Sequence, residues 1–123
     1  MDPNYGISRE VDDYVSFKTA KLLHQKGFHY ACGSCYFPDG VLLGRESEDD
    51  DLYPRPTQAF AMKWLREVHH IDIGITFQYN DDGRIIIYQI FKDGEYKTGC
   101  ESGARTYEEL VDEAIWISAK TLI

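Results

Sequence analysis

The amino-acid sequence predicts a single α+β domain, in which a helix and a short hairpin precede an α-β-β-β-α unit. Its length of 123 residues is that of one ordinary domain. Apolar residues alternate strictly over residues 71–79, and helix-period apolar stripes lie on either side of that region. We therefore expect an antiparallel three-strand meander packed by helices. The domain divides into residues 1–44 (helix and hairpin), 45–55 (an acidic mobile loop) and 56–123 (the α-β-β-β-α unit).

The first helix and the hairpin are indicated by capping and turn residues. Ser16 is of the type that caps a helix N-terminus, and Gly27 can terminate the same helix in a left-handed conformation. Residues 30–37 and 41–43 read as short strands, and Pro38-Asp39-Gly40 between them is a turn sequence.

The acidic loop is indicated by five acids within the six positions from Glu46 to Asp51. Charges of one sign at this density repel one another and resist packing. The run lacks the alternating ligands and central glycine of a calcium-binding loop, so a solvated loop is expected in preference to a cation site.

Two amphipathic helices flank the meander. Pro56 and Thr57 begin a helix that extends to about His69, and its apolar stripe, which runs to Val68, predicts that Trp64 lies in the core. The last helix begins at Thr106, which opens an S/T-x-x-E capping box.

Between these helices, the sequence predicts three strands. Ile71, Ile73, Ile75, Phe77 and Tyr79 form the buried face of the first strand. Residues 84–91 are apolar on both sides, as in a strand covered on both faces. Residues 95–98 form a short third strand.

One aromatic residue of the last helix falls outside its apolar stripe. Trp116 lies among acidic positions. We assign it, together with Glu109, Asp112 and Glu113, to a partner-binding surface. An exposed tryptophan in such a place is typical of an interface anchor. The alternative, which we favour, is that the N-terminal helix or hairpin folds over Trp116.

The cysteines and histidines leave three interpretations open. His24, His29, Cys32 and Cys35 have the spacing H-x4-H-x2-C-x2-C, which could supply four zinc ligands. Zinc sites more often use two separated ligand pairs, and a redox C-x-x-C pair precedes a helix, whereas a strand and turn follow here. Structural thiols are therefore expected, with a zinc-stabilised domain as the alternative, and no cofactor.

The charge balance excludes some partners. The chain has 13 basic and 21 acidic residues, a net charge of −8, and no segment of it is basic. We therefore expect no nucleic-acid partner and no membrane partner. No export signal is recognisable in the first residues, so a cytoplasmic location is expected.

Two resemblances add to this interpretation. The order of elements from Pro56 onward resembles that of double-stranded RNA-binding domains, but acids stand where that family carries lysines, so no RNA-binding residue carries over. A second resemblance is carried by the runs Val15-Ser16-Phe17, Ala20-Lys21-Leu22-Leu23, Lys26-Gly27-Phe28, Pro56-Thr57-Gln58, Lys63-Trp64-Leu65-Arg66-Glu67 and Tyr107-Glu108-Glu109. In these runs the chain resembles a group of small uncharacterised proteins of gut bacteria and their phages or mobile elements. It implies a cytoplasmic accessory protein and no catalytic residues.

The function expected from these observations is a small, acidic, non-catalytic protein-interaction module that binds a basic host protein. No nucleophile motif, phosphate-binding glycine loop or H-E-x-x-H motif is present, so no catalytic residue is assigned. The alternatives are the zinc-stabilised domain and a weak nucleic-acid binder that uses Lys18, Lys21 and Lys26 of the first helix.

Overall fold

The computed structural model describes residues 13–103 and 105–123, and within them it has three helices and two antiparallel three-strand sheets. The predicted α+β class, with a meander packed by helices, is confirmed. In chain order the elements are α1 (Phe17–Gln25), β1 (Cys35–Tyr36), β2 (Leu42–Leu43), β3 (Tyr53–Pro54), α2 (Gln58–His69), β4 (Ile71–Asn80), β5 (Gly83–Lys92), β6 (Glu95–Glu101) and α3 (Tyr107–Leu122).

The helices begin and end close to the residues that the sequence indicated. The Ser16 hydroxyl accepts a hydrogen bond from the Thr19 N–H, and Gly27 follows α1 with φ +104°. The capping box of α3 is formed in both directions, between Thr106 and Glu109. For α2 the N-cap is Thr57, so Pro56 precedes the helix and does not form its first turn.

The predicted hairpin belongs to a small three-strand sheet of order β2-β1-β3. Its turn forms as expected, with a hydrogen bond from the Phe37 N–H to the Val41 carbonyl oxygen at 2.8 Å, but both strands are only two residues long. The third strand, Tyr53–Pro54, was expected to be part of the acidic loop. It forms because the chain returns along β1, where Tyr36 pairs with Tyr53.

The large sheet has the order β4-β5-β6 and provides one wall of the core. Helices α2 and α3 pack against it, and α1 packs against α3. Trp64 is 5% exposed and lies edge-on to Phe28, with ring centroids 5.3 Å apart, which confirms its predicted place in the core. Val68, in the last turn of α2 and expected in the same stripe, is 50% exposed, so the prediction is wrong at this position.

The far end of β4 extends beyond the helices. Ile71 is fully buried, but Phe77 and Tyr79 are 42% and 76% exposed, so the predicted buried face ends partway along the strand. On β5 the residues facing the helices are buried, whereas Ile85 and Ile87 between them are only half-buried. The prediction that β5 is covered on both faces is therefore wrong, because the helices of the described chain pack on one face only.

Among the described residues, no helix is both long enough and apolar enough to cross a membrane.

Candidate functional site

The acidic loop and the C-x-x-C segment form the two walls of one cleft, which we call the acidic cleft. It has a volume of about 240 Å³ and lies beside the C-terminal end of α1. Its walls include His24, His29, Tyr30, Cys32, Cys35, Glu46, Glu48, Asp49 and Asp50. The structure thus brings together two features that the sequence showed separately.

The small sheet holds the loop in this position. Cys35 pairs with Pro54 in the β1–β3 ladder, so the end of the loop returns to the C-x-x-C segment. Next to this pair, Arg55 donates from its backbone N–H to the Ser34 carbonyl oxygen at 3.0 Å and from its Nε to the Ser34 hydroxyl at 2.8 Å. Leu52 is 7% exposed and anchors the loop from within.

The acidic cleft has more acidic than basic side chains among the residues that line it. Four of its wall residues are acidic, and no lysine or arginine is among the residues that line it. The ion pairs of residues 13–103 and 105–123 are Lys97–Glu95 and Arg105–Glu113, and both lie elsewhere. Uncompensated carboxylates on one surface attract a cationic ligand, because their potentials add.

The two thiols of the acidic cleft are held in the protonated state. Burial, together with the smaller effects of the neighbouring Cys35 and Glu46, raises the pKa of Cys32 to about 11. Burial also raises the pKa of Cys35, against the opposing effect of Arg45. Both act as donors, Cys32 to the Tyr30 carbonyl oxygen at 3.5 Å and Cys35 to the Arg45 carbonyl oxygen at 3.6 Å. Neither thiol has the low pKa of a reactive cysteine.

The four predicted zinc ligands line the same cleft without forming a ligand set. The His24 and His29 rings meet edge to face, with centroids 4.8 Å apart, and the Cys32 and Cys35 thiols are hydrogen-bonded to carbonyl oxygens. Across the described ranges, no group of three or more His, Cys, Asp or Glu side chains is arranged to hold a metal ion.

The acids of α3 that were assigned to a partner surface have contacts within the described chain. The Glu109 carboxylate accepts the Thr106 N–H at 3.1 Å in the capping box. The Asp112 carboxylate accepts the Ser16 N–H and hydroxyl at 2.8 and 2.7 Å. Glu113 forms an ion pair with Arg105. These acids therefore stabilise helix ends and the contact between α1 and α3.

Trp116 is half-buried between two lysines. The Lys18 ammonium of α1 lies 3.7 Å from the centroid of its ring, and the Lys120 ammonium lies 4.4 Å from it. The favoured expectation, that the N-terminal helix folds over this tryptophan, agrees with the position of Lys18. The Lys120 contact joins residues i and i+4 of α3, which helix periodicity brings together, whereas no periodicity indicates the Lys18 contact, because Lys18 is distant in the chain.

Comparison of the chain with protein-family models, with curated proteins and with solved structures finds no match.

Proposed function

We propose that this protein is a small, acidic, non-catalytic interaction module that binds a basic segment of a partner protein in the acidic cleft. The observation that carries the proposal is the unbalanced charge of the cleft. Glu46, Glu48, Asp49 and Asp50 line it, and no lysine or arginine of the described residues is part of its lining. A lysine or arginine side chain of the partner would neutralise these carboxylates.

The chemistry of the acidic cleft favours binding over catalysis. Its thiols are protonated donors, and the raised pKa of Cys32 disfavours a thiolate nucleophile. Tyr30 at the rim is 47% exposed and packs against Phe60, with ring centroids 5.8 Å apart. An exposed aromatic ring beside carboxylates suits a basic side chain, which can contact the ring face with its methylenes or its charge.

The contacts of the α1 lysines argue against the nucleic-acid alternative. Lys18 lies over Trp116, and the Lys26 ammonium donates to the Ile123 carbonyl oxygen at 3.1 Å. Two of the three lysines expected to contact phosphates therefore have internal contacts.

A reducing, cytoplasmic setting fits the proposal, since the three cysteines are free thiols.

The test is calorimetric titration of the full chain with a lysine-rich peptide of about twelve residues, long enough to fill a cleft and its rim. We expect binding that weakens as salt rises, because exposed charges are screened beyond about 8 Å at physiological ionic strength. A variant with Glu46→Gln, Glu48→Gln, Asp49→Asn and Asp50→Asn should bind at least about tenfold more weakly.

The matched control removes four exposed acids outside the acidic cleft, namely Asp72→Asn, Asp81→Asn, Asp82→Asn and Glu101→Gln. It changes the net charge equally and should retain most of the binding. Equal losses in the two variants would mean that net charge alone attracts the peptide, and the proposal would fail. Micromolar binding of duplex RNA or DNA in the same assay would favour the nucleic-acid alternative.

A further inference from the structure

One edge of the large sheet is unpaired in the part of the chain that the structure describes. β4 pairs with β5 and with no other strand of residues 13–103 and 105–123. Asn80 pairs with Gly83 across a two-residue turn, so the even-numbered residues of β4 exchange ladder hydrogen bonds with β5. The odd-numbered residues direct their N–H and C=O groups outward, and no backbone hydrogen bond from the described residues reaches them.

The two edges of this sheet differ in how they are protected. The edge strand β6 carries Glu95, Lys97 and Glu101, and a bulge interrupts its pairing with β5. Charges and bulges of this kind prevent edge-to-edge association in natural sheets. β4 is three residues longer, has no bulge, and carries one charged side chain, Asp72. It therefore lacks the protection that β6 has.

The unprotected edge continues beyond the helices. Phe77 and Tyr79 lie on the helix-facing side of the sheet, yet they are 42% and 76% exposed. A strand added to this edge would cover part of both side chains and would satisfy the outward N–H and C=O groups.

We propose that the β4 edge pairs with β4 of a second copy of this chain, which would give a six-stranded antiparallel sheet about a two-fold axis. Two-fold symmetry makes the pairing antiparallel and places the same surface on both copies. The outward-pointing odd residues must pair with one another, so the axis passes a residue of β4 and not the midpoint between two residues. The greatest overlap of the two ten-residue strands places it at residue 75 or residue 76.

Both registers are self-complementary. Asp72 lies opposite Gln78 of the partner copy when the axis passes residue 75, and opposite Asn80 when it passes residue 76. In neither case do two acids meet, and like charges directly opposite would destabilise the pair. On the helix side, Ile73 faces an aromatic residue of the other copy, Phe77 or Tyr79. The side-chain pattern of β4 therefore suits a second β4.

The dimer should be weak and should tighten as salt rises. A single pair of edge strands buries less than the roughly 1,600 Å² of a standard interface. Each chain also carries a net charge of −8, so the two copies repel each other until salt screens them. Binding of a basic peptide has the opposite salt dependence, so the two proposals succeed or fail separately.

The test is sedimentation equilibrium of the full chain over about two decades of concentration, at roughly 50 and 500 mM salt. We expect the mean mass to rise from one chain toward two with concentration, and more strongly at high salt. In NMR spectra, the amides of Ile73, Ile75 and Phe77 should shift with concentration and become protected from hydrogen exchange only in the dimer.

A variant with Thr76→Glu and Gln78→Glu places acids opposite each other in either register, and its dissociation constant should rise at least about tenfold. The control, Gln25→Glu with Ala59→Glu, adds the same charge at exposed positions of α1 and α2, outside the large sheet, and should change it little. A mass of one chain at every concentration, or equal effects of the two variants, would overturn the proposal. Protection of the β4 edge amides in the monomer would also overturn the proposal. So would a dimer that Phe60→Ser disrupts and the β4 variant does not, because the interface of that dimer would lie elsewhere.

Discussion

The Asp112 carboxylate of α3 caps the N-terminus of α1 through Ser16, a residue 96 positions earlier in the chain. It accepts the Ser16 N–H at 2.8 Å and the Ser16 hydroxyl at 2.7 Å, and its Oδ2 also accepts the Thr19 hydroxyl at 3.0 Å. A negative charge at this place complements the positive end of the helix dipole. One carboxylate thus joins two helices that share no local sequence signal.

Replacing Asp112 by alanine should lower the free energy of unfolding by about 1–3 kcal/mol, because three donors lose a charged acceptor. Urea unfolding of the variant and of Glu108→Ala measures the difference. Glu108 precedes Asp112 by one turn and its side chain is exposed, so its removal should change stability by less than about 0.5 kcal/mol. Equal losses for the two variants would contradict the capping role.

Trp64→Ala should lower the free energy of unfolding by about 3–5 kcal/mol, since the enclosed indole would leave a cavity. Val68→Ala, on the exposed flank of the same helix, should lower it by less than about 1 kcal/mol. Thermal and urea unfolding both measure these changes. A loss for Trp64→Ala below about 1 kcal/mol would place its side chain on the surface.

An element of this fold can be predicted from the sequence when the interactions that form it are local in the chain. The caps at Ser16 and Thr106 and the alternation along β4 are local signals, and they predicted the elements correctly. β3 could not be predicted, because Tyr53–Pro54 forms a strand only through its pairing with β1. The exposure of Phe77 and Tyr79 was missed for a related reason, since alternation identifies a face and does not show where the covering helices end.

The candidate site was predictable in its parts and not in its assembly. The C-x-x-C pair and the acid run are visible in the sequence, but their meeting depends on the β1–β3 ladder. The acids of α3 have contacts that the acid pattern does not indicate. Asp112 accepts from Ser16, which is distant in the chain, and Glu113 pairs with Arg105, which lies just before α3.

Cys32 should react with iodoacetamide about one hundred times more slowly in the folded protein than in the unfolded chain at pH 8. Its pKa of about 11, against 9.0 for an ordinary thiol, lowers the thiolate fraction by about that factor. Site-resolved mass spectrometry measures both rates, with the same chain in urea as the reference. Similar rates in the two states would show that Cys32 is neither shielded nor perturbed.

The same pKa difference predicts a dependence of stability on pH. The folded protein binds the Cys32 proton more tightly than the unfolded chain does, so this contribution is complete below pH 9 and is lost between pH 9 and about 11. Over that interval we expect the free energy of unfolding of the wild-type chain to fall relative to that of Cys32→Ala. Urea midpoints of both chains measured at about pH 8 and about pH 11 provide the comparison. A wild-type midpoint that rises relative to that of the variant would contradict the prediction.

A metal chelator should leave the melting temperature unchanged, and elemental analysis should find no stoichiometric zinc. Both thiols of the acidic cleft are occupied as hydrogen-bond donors to carbonyl oxygens. Thiolate-bound zinc contributes directly to folding free energy, so its removal would lower the melting temperature. One zinc per chain, lost together with stability on chelation, would establish the zinc-stabilised alternative in place of free thiols.

Lys92, at the end of β5, makes two contacts whose consequence is cooperative unfolding. Its ammonium donates to the His69 carbonyl oxygen of α2 at 2.9 Å and to the Leu122 carbonyl oxygen of α3 at 3.2 Å. The last turns of both sheet-covering helices therefore share one hydrogen-bond donor. Fraying of either helix weakens the attachment of the other, so the two last turns should open together, as one unit, in native-state hydrogen exchange. Acetylation of this one amine would loosen both helix ends at once.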